Sequence, residues 1–600
     1  PQTPNPKPQT PNPRSESSKL NCGSNWRNSN QNKTKMQKRN FRRKTVDSRD
    51  YSLQPVLRRG NTIGTTSPPI TKKEIQSPAK PPFILSTKYV IIRSEAMGSK
   101  SELVDGKRRK KPRKLSFTVG KGNNGAIVKR IMSLRDRWIE TVKGKDNEVI
   151  NFIWEPVSSS VDFSINEHHN LDNPRRNPFK GVAANHLEFH HEISSKFSLY
   201  RNMRMRFGST IDEFVPPTFI FEFDSDKLAE DLKTFTSIFR ENEKKRNSAT
   251  FNLSEKDTPE GKAWLYSYVP PTATEEKEPT EVSLQSPLSD KLDIEFIAER
   301  AKPQQNAVPK LREIPLPLQR TVVFPETLNA GKNLWLLKPD RCNRGKGVSL
   351  FTKLSQLGRL LNSYLNGFEL DAMEKLHGAE VSKRPSKLVK PKKFVLQKYI
   401  ERPLLIHKRK FDIRIYGMIN HKSELFASEE GYIRMSGDDF SLDQDNVFVH
   451  LTNNAVQKLN SNYCRFEEGN IVPLRSLEEV FSPSMHADVK SKIYSIIWKT
   501  LAVLQDKGNK KKRQNCFEMF GFDFMIDEGE NVWLIEVNTN PCIEEVNEFL
   551  KQLLPRLLDD YFKLTIDQIF AETESFENYS TTFSVDGVSD NQSIWRKLSS

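Results

Sequence analysis

The chain has 600 residues, room for two to four domains, but only 36% of it is hydrophobic, so part of it is expected to join no core. Its net charge of +18 is lopsided: residues 1–115 hold 27 Lys+Arg against 7 Asp+Glu, and the remainder is close to balance, as a folded enzyme would be. Five scattered cysteines with no C-x-x-C pair exclude a disulfide framework or a cysteine zinc site and suit a reducing compartment, and the lack of any run of 18 apolar residues excludes a membrane-spanning helix.

The chain opens on a near repeat, Pro-Gln-Thr-Pro-Asn-Pro-Lys then Pro-Gln-Thr-Pro-Asn-Pro-Arg, and lacks both an initial Met and the apolar core of a signal peptide. Pro, Ser, Asn and Lys dominate to about residue 82, too polar a mixture to offset chain entropy by burial, so residues 1–115 read as a disordered basic arm. The run Lys107-Arg-Arg-Lys-Lys-Pro-Arg-Lys114 that closes it is a solvated charge run, an acidic-polymer contact or a nuclear signal. Order is expected from about Leu115, with a polar insertion at about 240–312. From Asn333 to Leu564 β-like runs (Trp335–Leu337, Phe394–Tyr399, Ile413–Ile419, Phe522–Ile526, Val532–Val537) alternate with helical stretches. The clearest helix is about 485–505, where Val489, Ile493, Ile496, Ile497, Leu501 and Leu504 recur at helical spacing and Ser482 or Ser484 could cap its start. This mixture predicts an α+β fold with mixed or antiparallel sheets.

The strongest chemical signal is Gly521-Phe-Asp-Phe-Met-Ile-Asp-Glu-Gly-Glu-Asn-Val-Trp-Leu-Ile-Glu-Val-Asn538, which reads as a β-hairpin. With a four-residue loop at 528–531, Asp527 faces Val532 and Asp523 falls opposite Glu536, with Asn538 on the same face. Two carboxylates and a carboxamide would then converge in an otherwise apolar sheet. Like charges so placed repel unless a cation separates them, and oxygen ligands of this kind suit Mg²⁺.

Further upstream, Trp335-Leu-Leu-Lys338 ends in the loop Pro-Asp-Arg-Cys-Asn-Arg344-Gly345-Lys346-Gly347-Val348, whose glycines would let backbone N–H groups approach phosphate; alone it could equally be a basic turn. Gln397-Lys398-Tyr399-Ile400 is either an adenine-reading linker or an ordinary strand end. Lys410-Phe-Asp412-Ile-Arg414 puts three charges on one strand face, as a substrate site or a surface ion-pair ladder. His450-Leu-Thr452-Asn453-Asn454 with Lys458 says nothing in isolation. No P-loop, kinase H-R-D loop or nucleophilic triad occurs.

This order of motifs resembles the tubulin–tyrosine ligase-like family, whose core is an ATP-grasp fold. The likeness is strong over about 330–550. It is fainter through Asn185-His-Leu-Glu-Phe-His-His, Lys196 and Phe214-Val-Pro-Pro-Thr-Phe. It implies a basic arm (1–115), an N-terminal domain (116–215), a central ATP-grasp domain (216–400), a C-terminal ATP-grasp domain (401–565) and a polar tail (566–600). ATP would lie between the last two domains.

By the same resemblance Lys338 and Lys410 bind nucleotide, and Arg344, Gly345, Lys346, Gly347 and Val348 form the loop over the phosphates, with Val where the family usually has Ile. Gln397, Lys398, Tyr399 and Ile400 form the adenine hinge, and Asp412 lies near the nucleotide. Arg414, Arg434 and Lys458 hold the free amino acid or the acceptor carboxylate, Thr452 and Asn453 line the same pocket, and Asp523, Glu536 and Asn538 ligate Mg²⁺. Arg414 and Glu536 would be catalytic.

The implied activity is an ATP-dependent ligase that adds an amino acid to a tubulin tail through an acyl phosphate, with glutamate ranked first, glycine second and tyrosine third. It would act in the cytoplasm on the cytoskeleton, with cilium or basal body as narrower addresses. The cationic arm would add attraction to an acidic microtubule surface. The rivals are a silent microtubule-binding protein, which need not keep the hairpin acids, and a nucleic-acid-binding protein, for which the arm lacks aromatic residues interleaved for stacking.

Overall fold

Leu115–Val119 (β1) opens the first sheet. A computed structural model describes residues 90–92, 114–122, 125–141, 150–166, 182–248, 291–301, 324–370, 388–443, 446–571, 582–584 and 593–599, all within the unit Leu85–Ser600. Most of the basic arm, including the charge run up to residue 113, lies outside the described residues. Among them, no helix is long and apolar enough to cross a membrane.

β1 is joined by Trp138–Glu140 (β2), Phe152–Trp154 (β3) and Ala183–Ala184 (β4) in a parallel sheet ordered β2-β1-β3-β4. Parallel neighbours need a crossover. Helix α1 (Gly125–Ser133) follows β1 and buries Ile127, Val128, Ile131 and Met132 as one stripe.

Helix α2 (Lys196–Phe207) leads into the second sheet: Thr218–Glu222 (β5), Trp335–Pro339 (β6), Ser349–Phe351 (β7) and Lys393–Lys398 (β8). It is antiparallel, ordered β5-β8-β6-β7. Helices α3 (Leu228–Ser248) and α4 (Leu354–Asn366) cover one face, where Phe219, Phe221, Trp335, Leu337, Phe394 and Leu396 meet Leu232, Phe235 and Phe239 of α3 and Leu354, Leu357 and Leu361 of α4. Side chains alternate along a strand, so Ile220, Leu336, Lys338, Val395 and Gln397 occupy the opposite face, in register with one another.

The third sheet has seven strands: β9 (Leu405–Ile406), β10 (Arg409–Ile419), β11 (Leu425–Asp439), β12 (Ile471–Pro473), β13 (Glu518–Ile526), β14 (Val532–Thr539) and β15 (Trp595–Lys597). Its spine runs β12-β11-β10-β13-β14, with β9 on β10 and β15 on β11. Helix α5 (Pro483–Lys507) packs Val489, Ile493, Ile496, Ile497, Leu501 and Leu504 against Ile413, Ile415, Phe522, Phe524 and Leu534. Of the two expected caps, Ser482 is the one used: its Oγ accepts from Met485 N at 3.2 Å, with Pro483 at the first helical position. Helix α6 (Glu548–Lys563) joins Trp138, Phe152 and Trp154 of the first sheet in a shared aromatic core.

Two sequence expectations change here. The polar insertion at about 240–312 overlaps α3, whose core contacts reach Phe239 and whose helix runs to Ser248, and it contains a helix at Ile294–Ala301 with Ile297 buried; 249–290 and 302–323 lie outside the described residues. The segment read as a polar tail, 566–600, buries Ile566 and Phe570 in the aromatic core beyond α6, and Ile594 and Trp595 where the strand at Trp595 completes the edge of the third sheet over α6.

Candidate nucleotide and metal site

The free face of the second sheet looks across a cavity at the polar face of the third. Leu336, Lys338 and Gln397 line it from β6 and β8, Lys410 and Asp412 from β10, Arg434 from β11, and Asp523 and Glu536 from the β13–β14 hairpin. Strand register explains the convergence: Asp412 pairs with Arg434, Arg414 with Asp523, and Asp523 with Glu536. The Asp523–Glu536 pairing expected from the sequence is present, by a different route. The turn takes five residues, so Ile526 rather than Asp527 faces Val532, and an irregularity after Asp523 restores the register. Asp527 instead caps the turn, accepting from Gly529 N at 3.0 Å and Asn531 N at 2.9 Å, and takes the Trp533 indole N–H at 2.8 Å.

On the second-sheet side Lys338 Nζ donates to Gln397 Oε1 at 2.5 Å, and Gln397 Nε2 donates to Thr218 Oγ1 at 2.9 Å. Lys410 Nζ donates to Tyr399 Oη and to the carbonyl oxygen of His450, both at 2.8 Å. Burial lowers both ammonium groups. Lys338 falls to about 8 against the pull of Glu536 and with repulsion from Lys196; Lys410 falls to about 7 against Asp412 and with repulsion from Lys338. An anion bound beside these two buried ammonium groups would offset the desolvation and restore their charge.

Four charged side chains of the third sheet neutralise one another. Arg414 reaches Asp523 with Nε at 2.5 Å and Nη2 at 3.0 Å. Arg434 reaches Asp523 with Nη2 at 2.9 Å and Asp412 with Nε at 2.9 and 3.1 Å. Burial alone would raise the Asp523 carboxyl; the two guanidiniums reverse this and hold it below the usual carboxylate range. The row read as either a substrate site or a surface ladder is therefore buried: its Asp412 and Arg414 balance with Arg434 and Asp523 as two guanidiniums against two carboxylates, while its Lys410 turns to Tyr399 and His450.

Asn538 does not line the cavity, but its Nδ2 donates to Asp523 Oδ2 at 3.2 Å and to Glu536 Oε1 at 3.1 Å, so it ties the two acids together. Turned by half a rotation, the same amide presents an oxygen, which a cation between the acids would favour. This donor set of hard oxygens fits Mg²⁺.

Gly345 and Val348 line the cavity from the glycine loop, while Arg344, Lys346 and Gly347 sit in the same loop beside them. Gly347 has φ +72°, and a Cβ there would meet the Phe368 ring at 2.4 Å, so glycine is required; Tyr364 Oη holds its carbonyl at 2.6 Å. Tyr399, Ile400, Thr452 and Asn453 also line the cavity. Lys398 borders it, but its ammonium is committed to the buried Glu401 carboxylate at 2.5 Å.

Two expected substrate ligands lie apart. Arg414 sits behind Asp523, outside the lining. Lys458 is 42% exposed and pairs with Glu544 at 3.3 Å, outside the lining, because the helical turn Asn454–Gln457 carries it outward.

Lys196, the first residue of α2, has no role assigned from sequence, yet it lines the cavity, 3.5 Å from Glu536, and donates to the Cys342 carbonyl of the glycine loop at 2.8 Å. A cation at a helix N-terminus opposes the helix dipole, which was the available signal. Asp340 compensates, accepting from Ser195 Oγ at 2.8 Å and Phe197 N at 3.2 Å.

A tubulin-tyrosine ligase family model matches residues 287–575, the stretch that supplies every lining residue named above except Lys196. Over this stretch the chain is similar to the tubulin-tyrosine ligase family. Among its relatives, tubulin glycylase 3B of Tetrahymena thermophila is 29% identical over 262 residues, 42% of this chain and 20% of that protein. Tubulin glycylase 3B of Drosophila melanogaster is 30% identical over 277 residues, 43% of this chain and 33% of that protein. Probable alpha-tubulin polyglutamylase Ttll1 of Tetrahymena thermophila is 29% identical over 270 residues, 43% of this chain and 61% of that protein. The chain thus covers less than two thirds of each of these family members.

Proposed function

We propose that the chain is an ATP-dependent ligase of the ATP-grasp type that joins the amine of a free amino acid to a carboxylate of a tubulin tail. The observation that carries this reading is the split charge of the cleft. Lys338, Lys410 and Lys196 stand against Glu536 on one side, while on the other Arg434, with Arg414 behind the lining, is balanced by Asp412 and Asp523. The first side has uncompensated positive charge for a triphosphate. The second has polar groups for a carboxylate and an amine but no surplus charge.

A carboxylate is a poor electrophile. Transfer of the γ-phosphoryl group makes it an acyl phosphate, and the amine then displaces phosphate. Lys338 and Lys410 would neutralise the phosphate oxygens, the Arg344–Val348 loop would cover them, and residues 397–400 would receive the base. Mg²⁺ held by Glu536, Asp523 and Asn538 would supply Lewis-acid charge to the phosphates. No protein nucleophile is needed. A ligase acting on tubulin would work at the cytoskeleton.

Lys338→Ala and Lys410→Ala should each weaken ATP binding by about 1.5–3 kcal/mol, the loss of one charge-assisted contact, with the fold retained. Calorimetric titration with Mg-ATP reads this directly, and unchanged affinity in both variants would end the nucleotide reading.

For the donor we place glycine ahead of glutamate, reversing the order given by the sequence. A second carboxylate needs an uncommitted cation, and the three candidates are engaged: Arg414 by Asp523, Arg434 by Asp412 and Asp523, and Lys458 outside the cavity by Glu544. The names of two of the three relatives, tubulin glycylases, lean the same way, and the third, a probable polyglutamylase, keeps glutamate as the second reading. Incubation with ATP, tubulin and each labelled amino acid should give incorporation of glycine. Incorporation of glutamate without glycine would restore the original order.

A further inference from the structure

We propose that Tyr399 and His450 are positioning residues whose hydroxyl–imidazole relay aims the Lys410 ammonium into the cavity, a role that rests on the nucleotide reading above. Lysine has a long flexible stem and three donors. Two of the Lys410 donors are fixed, one on Tyr399 Oη and one on the His450 carbonyl, each at 2.8 Å. That geometry leaves the third free to reach a ligand. The ammonium also lies 4.3 Å from the centre of the Tyr399 ring.

Proton stoichiometry makes the relay directional. A hydroxyl that accepts from an ammonium must send its own proton elsewhere, and His450 Nδ1 lies 2.9 Å from Tyr399 Oη. The phenol stays protonated, because burial pushes it well above its ordinary value. His450 Nδ1 is therefore the acceptor, which fixes the imidazole as neutral with its proton on Nε2. The charged and titratable groups facing Lys410 are Asp412 on its own strand, Lys338 from β6, Tyr399 at the end of β8 and His450 from the turn Val447–His450. With a second lysine so near, a buried amine that lost the phenol acceptor would give up its proton or swing away, and a neutral amine is a poor phosphate ligand.

Tyr399→Phe keeps the ring and removes only the relay oxygen. In the full-length protein it should weaken Mg-ATP binding about tenfold at neutral pH. It should also move the alkaline limb of the affinity–pH profile, measured between about pH 6 and 9, to lower pH. His450→Leu should do the same. His450→Asn, whose side-chain oxygen can stand near the Nδ1 position, should recover most of the loss. A merely structural role would lower the unfolding temperature without moving the pH limb. Unchanged affinity and pH profile in Tyr399→Phe, or His450→Asn behaving like His450→Leu, would overturn the relay. Lys410→Ala separates the two failures: if it too leaves ATP binding intact, the nucleotide reading falls; if it weakens binding while Tyr399→Phe does not, the relay alone falls.

Discussion

Glu536→Gln is expected to abolish ligation while leaving the protein folded. The side chain keeps its size and its capacity to accept from Asn538 Nδ2, now 3.1 Å from Oε1, so the hairpin has no reason to unpair. What disappears is a full negative charge at the place where the two acids converge. Loss of that charge removes a ligand for a divalent cation and leaves Lys196, 3.5 Å away, without its counter-charge. Electrostatic stabilisation of a transferring phosphoryl group is worth several kcal/mol, so turnover should fall on the order of 100-fold or more. The check is a labelled-amino-acid assay beside thermal unfolding of the same preparation. Near-normal turnover would refute the metal assignment, and a collapsed unfolding temperature would show that Glu536 is structural.

The physics of strands made part of this site legible beforehand. Period-two alternation put Lys410, Asp412 and Arg414 on one face, and the register bears this out through the Asp412–Arg434 and Arg414–Asp523 pairs. The Asp523–Glu536 pair follows from a four-residue turn in a regular ladder and equally from the five-residue turn and the irregularity after Asp523 that the hairpin has, because the two differences cancel. Local signals specify that a hairpin exists better than they specify its turn. Helix α5 was readable because its apolar spacing and its serine cap agree.

What was not legible depends on closure between distant segments. Lys196 comes from a helix 142 residues before Lys338 and reaches the site because Asp340 anchors that helix start beside the glycine loop. His450 reads as an ordinary polar residue until Tyr399 and Lys410 are seen against it. Lys458 follows the cavity-lining Thr452 and Asn453 closely in sequence, yet the intervening helical turn directs it to solvent. Ile594 and Trp595 are too short an apolar run to show a period, so their burial could not be read.

Asp523→Asn should behave differently from Glu536→Gln, and the contrast separates structure from chemistry. Asp523 is 2% exposed and faces two guanidiniums, Arg414 at 2.5 and 3.0 Å and Arg434 at 2.9 Å. Removing one member of a buried ionic group strands the others in a medium that solvates them poorly, at a cost of about 3–5 kcal/mol. Arg434 keeps Asp412, so most of the cost should fall on Arg414. Denaturant unfolding at neutral pH should show the loss as a lower midpoint, along with loss of activity.

The sign of the pH dependence follows from the depressed carboxyl. Because Asp523 titrates lower in the folded chain than in the unfolded one, its contribution is complete above the unfolded value, about 4, and drains away as pH falls through the folded value below that. Wild type and Asp523→Asn should therefore differ by the full amount at pH 7 and converge under strong acid. A midpoint unchanged at pH 7 would mean that Arg414 and Arg434 are neutralised by something other than Asp523, and the charge-balanced face that favours glycine over glutamate would lose its basis.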